Sequence, residues 1–280
     1  MKEEHFCLDD SPWFRMMEMD EVTSTNDFLR YYHPVGPERR LTLVTAEYQT
    51  AGRGAGTNRW ESARGQNLLF SLLTHPRHIQ AERMFVLSEA LALAIREALE
   101  SEELRVKSEK IATALAQEDR DFPLFTLQSS FSIKWPNDIY YGDGKVCGML
   151  IENDLQGRRV ENCVMGVGVN VNQTEFETPP NPASLAQILG HPLERRFVLE
   201  RIVERFARYY NWTEQGRFEE LHTMYLGHLY RRGEEYTYAD EMGHFRGTIV
   251  DVEPTGHLIV RDAMGRDRRY AFKEVEYVMN

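Results

Sequence analysis

Short apolar runs of strand length recur between polar turn segments, and the stretch from 84 to 99 answers them with helical spacing. A chain written this way must form a sheet and cover it with helices. Residues 41–47 (LTLVTAE) and 67–74 (NLLFSLLT) are apolar or β-branched almost throughout, which predicts buried strands. Residues from Met16 read as a shorter strand leading into Ser24-Thr25-Asn26, a polar cluster suited to capping a helix through Phe28, Leu29 and Tyr31-Tyr32. Between 84 and 99, Phe85, Leu87, Ala90, Leu91, Ala94, Ile95 and Leu99 recur at three- and four-residue steps and predict an amphipathic helix on the sheet. Residues 101–130 are crowded with charge and lack a sustained apolar period before Phe131, so they read as an exposed helical or irregular excursion.

Strands resume into Lys134-Trp135-Pro136-Asn137-Asp138, then at 145–152 and 160–171, with a turn at Gly142-Asp143-Gly144. Residues 197–210 form a clear helix, with Leu199, Ile202, Val203 and Phe206 on one face. After Arg232-Gly233 the texture changes to short alternating segments at 236–238, 247–252, 258–261, 269–272 and 275–278, the pattern of a small closed barrel. The expectation is a mixed α and β unit over 1–230 and a small β unit over 231–280.

At 42% hydrophobic and 28% charged residues the chain can bury a core and does not read as disordered. A net charge of −11, from 33 Lys and Arg against 44 Asp and Glu, repels phosphate backbones and acidic lipid, so general DNA binding and membrane association are disfavoured. Cys7, Cys147 and Cys163 are odd in number and lack metal-ligand spacing, which fits a reducing compartment. The acidic start is unlike a secretory signal and no apolar run is long enough to cross a bilayer, so the expected location is cytoplasmic.

Four stretches could carry chemistry. In Gln49 to Trp60, Gly52, Gly54 and Gly56 let backbone approach a ligand while Arg53 and Arg59 offer cationic forks, although a Gly-rich turn after a strand is as often a bare connection. The spacing matches neither the Walker pattern nor the dinucleotide fingerprint. Lys134-Trp135-Pro136-Asn137-Asp138 brings a cation and a carboxylate to one sheet edge, where Asp138 could hold magnesium or simply close a surface turn. Lys145 enters a strand three residues before Gly148, and Gly166-Val167-Gly168-Val169-Asn170 strips side-chain bulk from another.

In this order, with Ser24-Thr25-Asn26 ahead of them, the four resemble the biotin protein ligases, from about Glu18 through Asn172 and more loosely beyond. The resemblance implies an α+β fold: a mixed sheet flanked by helices, like the catalytic domains of class II aminoacyl-tRNA synthetases, followed by an SH3-like barrel. It implies that ATP and Mg2+ activate biotin as biotinyl-5′-AMP, and that a lysine of a biotin carboxyl carrier protein takes the acyl group. Carried over by position, Ser24, Thr25, Asn26 and Gln49 would meet the ureido end of biotin. Arg53, Gly54 and Ala55 would close over the ligands, with Gly148 beside the biotin. Lys145 and Arg53 would act on the carboxylate and linking phosphate. Trp60 and Asn170 would meet adenine, Lys134 and Asn137 the phosphates, and Asp138 the metal.

Many relatives have a second basic residue where this chain has Ala55, which implies looser retention of the adenylate. No DNA-binding segment precedes the first motif, so a repressor role is not expected, and a homodimer is compatible with the chain. A lipoate protein ligase, or a ligand sensor without acyl transfer, shares the same fold-level signals. The Gly-Arg-Gly loop before Trp60 and the Lys-Trp-Pro-Asn-Asp stretch favour biotin, and the presence of Arg53, Lys145 and Asp138 favours an enzyme.

Overall fold

A computed structural model of the protein describes residues 14–32, 38, 40–116, 130–177 and 181–278. Seven strands form one sheet: β1 (Phe14–Val22), β2 (Leu41–Gln49), β3 (Leu68–Thr74), β4 (Phe131–Lys134), β5 (Asp138–Tyr141), β6 (Gly144–Gln156) and β7 (Arg159–Val169). Their order is β1-β2-β3-β7-β6-β5-β4. Only β1 and β2 run parallel, joined by the crossover that contains α1 (Thr25–Arg30), so the sheet is mixed. β3 lies between β2 and β7, and all seven of its residues are buried, which is why its sequence shows no polar alternation.

Alternation along the central strands divides the apolar residues between two faces. Leu43, Phe70, Leu72 and Met165 join the main core with the helices, whereas Leu29, Val44, Leu73 and Val164 form a second cluster with Phe28 of α1 against it. The helical layer consists of α2 (Val86–Ala116), packed against α4 (Arg195–Glu214) and α5 (Phe218–Gly227). A short α3 (Leu185–Leu189) starts at a capping box in which Ser184 and Gln187 satisfy each other's backbone N–H groups.

The excursion expected after residue 101 is corrected by this layer. The helix that begins at Val86 continues to Ala116, and Glu102, Glu103 and Val106 are buried within it. Glu102 is met by Arg105 at 3.1 Å, and Tyr141 donates to Glu103 at 3.2 Å. Specific partners thus let the carboxylates enter the interior that their charge would otherwise keep them out of. Residues 117–129 and Cys7 lie outside the described residues. The first helix is also shorter than expected: it ends at Arg30, and Tyr31 is its exposed C-cap.

A second, five-stranded antiparallel sheet follows: β8 (Glu235–Asp240), β9 (Gly243–Val252), β10 (Leu258–Asp262), β11 (Asp267–Tyr270) and β12 (Glu276–Tyr277), in the order β11-β10-β9-β8-β12. It fits an SH3-like unit, although among the described residues β11 and β12 are not paired, so the ladder is open where a closed barrel was expected. Its buried Tyr238, Ile249, Val252 and Val260 are continuous with the main core. Trp135 donates its indole N–H to the Gly256 carbonyl at 2.9 Å, tying the turn after β4 to this sheet. Among the described residues, no helix is long and apolar enough to cross a membrane.

Candidate functional site

A cavity of about 940 Å³ opens between the second face of the main sheet, the loop after β2 and the terminal sheet. It falls in the size range of small-molecule sites, and every residue singled out from the sequence as a binding or catalytic candidate lines it.

Three glycines create its floor. Gly148 of β6 and Gly168 of β7 are paired neighbours, and Gly166 lies two residues away on the same face. A Cβ on Gly168 would collide with the Trp60 indole, and one on Gly148 would lie 2.8 Å from Trp60 Cζ3. A Cβ on Gly166 would strike the Asn26 amide. The Trp60 ring and the Asn26 side chain can therefore rest on the strands only because these positions carry no side chain. The indole Nε1 is buried against Gly168, without a hydrogen-bond partner among the described residues.

At the Asn26 end the polar groups form one network. Ser24 caps α1, as the sequence suggested, with Asp27 N donating to its hydroxyl at 3.4 Å. Gln49 Oε1 accepts from Thr25 N at 2.7 Å and Thr25 Oγ1 at 3.0 Å. Ser71 Oγ lies 2.7 Å from Thr25 Oγ1 and 2.6 Å from Asn26 Oδ1. Asn26 Nδ2 donates to the Leu150 carbonyl at 3.1 Å and to Glu152 at 3.0 Å. Ser71 and Glu152 were not foreseen: a serine inside an apolar strand and an acid far along β6 acquire a role only through the β3–β7–β6 register.

The loop after β2 folds back on itself, with Gly54 N donating to Asn58 O at 2.8 Å and a bridge joining Arg53 to Arg59. The Arg53 side chain does not project freely into the cavity. Its guanidinium pairs with Asp27 of α1 and with Glu152 at 3.0 Å. Burial opposes its charge, but the two carboxylates outweigh burial and raise its pKa.

Lys145 and Asp138 meet at 2.8 Å, and the same ammonium lies 5.7 Å from the Trp60 ring centroid. β5 and β6 deliver the pair from neighbouring strands. Lys134 sits deeper, bonded to the Tyr140 hydroxyl at 3.1 Å and flanked by the rings of Tyr140 at 4.8 Å and Tyr277 at 5.0 Å. Burial lowers its pKa, with Lys145 and Arg231 adding to the effect against the pull of Asp138.

Two candidates act first as braces. Asn137 donates its amide to the Met149 carbonyl and pins the turn onto β6. Asn170 Nδ2 points at the carbonyls of Ala183 at 3.2 Å and Lys145 at 3.4 Å, which holds the Lys145 backbone in place. Cys147 and Cys163 are buried, and burial pushes both thiols far up, so neither is a nucleophile at neutral pH. Among the described residues no three His, Cys, Asp or Glu side chains gather around a common centre. Magnesium bound beside substrate phosphates takes only one or two protein carboxylates.

The profile of the biotin/lipoate A/B protein ligase family matches residues 18–170, just over half of the chain. The bifunctional ligase/repressor BirA of Bacillus spizizenii is 27% identical over 82% of this chain, which spans 64% of that relative, a little under two thirds. The biotin–[acetyl-CoA-carboxylase] ligase of Mycobacterium tuberculosis is 26% identical over 72% of this chain and 66% of its own length. The biotin protein ligase of Aquifex aeolicus, solved with biotin and ATP, superposes with a TM-score of 0.69 at 26% identity, covering 94% of this chain and 99% of that one.

Proposed function

The chain belongs to the biotin/lipoate A/B protein ligase family, and on that premise we propose that it joins the carboxylate of biotin to AMP and passes the acyl group to a lysine of a biotin carboxyl carrier protein. The observation that carries this reading is the place of Lys145. Its ammonium lies 2.8 Å from Asp138 and 5.7 Å from the Trp60 ring centroid, inside the cavity that the Trp60 indole borders from its seat on the glycine strands.

A carboxylate does not acylate amines by itself, because oxide is a poor leaving group. In the first step a biotin carboxylate oxygen attacks the α-phosphorus of ATP, a C–O–P linkage forms, and the α–β bond breaks to release pyrophosphate. Two anions must approach and charge builds on the α-phosphate, so a preorganised ammonium is most useful where the site is dry. Lys145 is that group in this reading, with its side chain about 28% exposed. In the second step the carrier lysine attacks the acyl carbon, the amide forms, and AMP leaves with the bonding pair.

The Ser24–Asn26, Gln49 and Ser71 network offers donors and an acceptor at fixed positions, as a cyclic urea requires. Trp60 would stack on adenine and Lys134 would bind phosphate. Asp138 is the carboxylate that would hold magnesium, whose contribution is to neutralise phosphate charge. Residues 1–230 would form the catalytic unit and 231–280 the terminal one, in a cytoplasmic enzyme.

Pyrophosphate release measured with ATP, magnesium and each acid in turn tests the assignment. Biotin is expected to stimulate release; stimulation by lipoate alone would overturn it, and binding of biotin without release would mark a sensor.

A further inference from the structure

The terminal sheet reaches the cavity through the turn between β11 and β12. Glu274 N donates to the Ala271 carbonyl at 3.1 Å, closing a four-residue turn in which Lys273 is third and has φ +72°. That position suits glycine, because a Cβ there crowds the backbone. A lysine held in this conformation needs a reason outside the turn.

The side chain supplies one. Lys273 lines the main cavity, and its ammonium lies so close to Gly56 that a Cβ on that glycine would collide with it. Two distant parts of the chain thus meet there: the Gly-rich loop and the terminal sheet. Most other cations of the cavity already have partners. Lys145 has Asp138, Arg53 has Asp27 and Glu152, and Lys134 has two tyrosine rings. Lys273 has only the Phe272 ring at 5.8 Å, and among the described residues it makes no ion pair. Arg59 is likewise without one, and Glu276, which also lines the cavity, pairs with neither cation among the described residues.

An unpaired ammonium over a loop whose small residues admit close approach is suited to a flexible polyanion. We propose that Lys273 binds the polyphosphate chain of the nucleotide, so that the terminal sheet takes part in ATP recognition and draws the loop onto it. This deepens the functional reading above and rests on it for the identity of the nucleotide.

Calorimetric titration of the full chain with α,β-methylene ATP plus magnesium, and separately with inorganic tripolyphosphate and with biotin, tests the proposal. Lys273→Gly and Lys273→Ala are expected to weaken both phosphate ligands about tenfold, the size of one charge-assisted contact in a partly exposed site. Biotin affinity should be unchanged, the salt dependence of nucleotide binding should flatten, and Lys273→Arg should retain binding. Lys273→Gly should also raise Tm by about 1–2 °C by relieving the turn. Unchanged phosphate binding in Lys273→Gly, equal losses for biotin, or a lower Tm for that variant would each overturn the proposal. If the wild-type protein binds the analogue but releases no pyrophosphate with biotin, only the functional reading fails; if it binds neither phosphate ligand, the Lys273 proposal fails.

Discussion

Lys145 touches a carboxylate, an aromatic face and a bare glycine at once, so replacing it should do more than remove a charge. In Lys145→Ala, adenylate formation is expected to fall by about a thousandfold, the scale seen when a preorganised group aimed at developing charge is lost. Unchanged turnover would remove the residue from the mechanism. Gly168→Val makes a complementary test, because valine favours strands yet its side chain would collide with Trp60. A loss of about 1–3 kcal/mol in unfolding stability is expected from the overpacking, together with a raised KM for ATP. Equal stability and KM would show that the indole does not rest on the floor as described. At Ala55, labelling of lysines on a non-carrier protein in the presence of biotin and ATP should exceed background; its absence would indicate tight retention. At this scale the motifs made Lys145, Asp138 and Trp60 legible because their residue types announce chemistry. The partners Ser71, Glu152 and Lys273 were not, since nothing local in the sequence marks a residue whose role depends on which strand lies beside it.

The elements are coupled by Glu152, which receives Asn26 from α1 and Arg53 from the loop. Glu152→Ala is expected to loosen both. Amide exchange across 53–59 should accelerate and biotin binding should weaken, because Asn26 keeps only the Leu150 carbonyl as acceptor. Unchanged exchange would mean that the backbone bonds within the loop suffice to order it. Strand positions were legible because buried sheet strands are written in continuous apolar runs, as in β2 and β3. The full length of α2 was not. Its second half is charged, and Glu102 is tolerable inside through Arg105 one turn on in the same helix, Glu103 through Tyr141 of β5. The short α3 and the ten-residue α5 give too little periodic signal to stand out against neighbouring turns.

Over the whole molecule, cations gather in one cavity of a chain whose net charge is −11. The sequence exposed the total but not the concentration, which needs the fold. The layers are also tied by His222 of α5, which lies 2.8 Å from Glu89 of α2 and 3.0 Å from Asp251 of β9. The hydrogen bond to Glu89 raises the imidazole pKa to about 9 against the cost of burial, with the charge of Glu89 and the contact to Asp251 adding to the rise. Burial raises Glu89 as well, so the folded pair holds its proton more tightly than the unfolded chain. The stabilisation is therefore fully present below the unfolded value near 6.5 and is lost as pH rises through about 9. Unfolding free energy should fall by about 1–2 kcal/mol over that window, after discounting for partial exposure, and His222→Ala should flatten the dependence. A wild-type profile as flat as the variant's would remove His222 as its source. The most direct test of the account is a quenched reaction of the purified protein with biotin, magnesium and ATP, resolved by mass spectrometry for the mixed anhydride of biotin and AMP. This species is expected to appear with one pyrophosphate for each anhydride and to disappear when an acceptor carrier is added; ATP and biotin recovered unchanged would contradict the assignment.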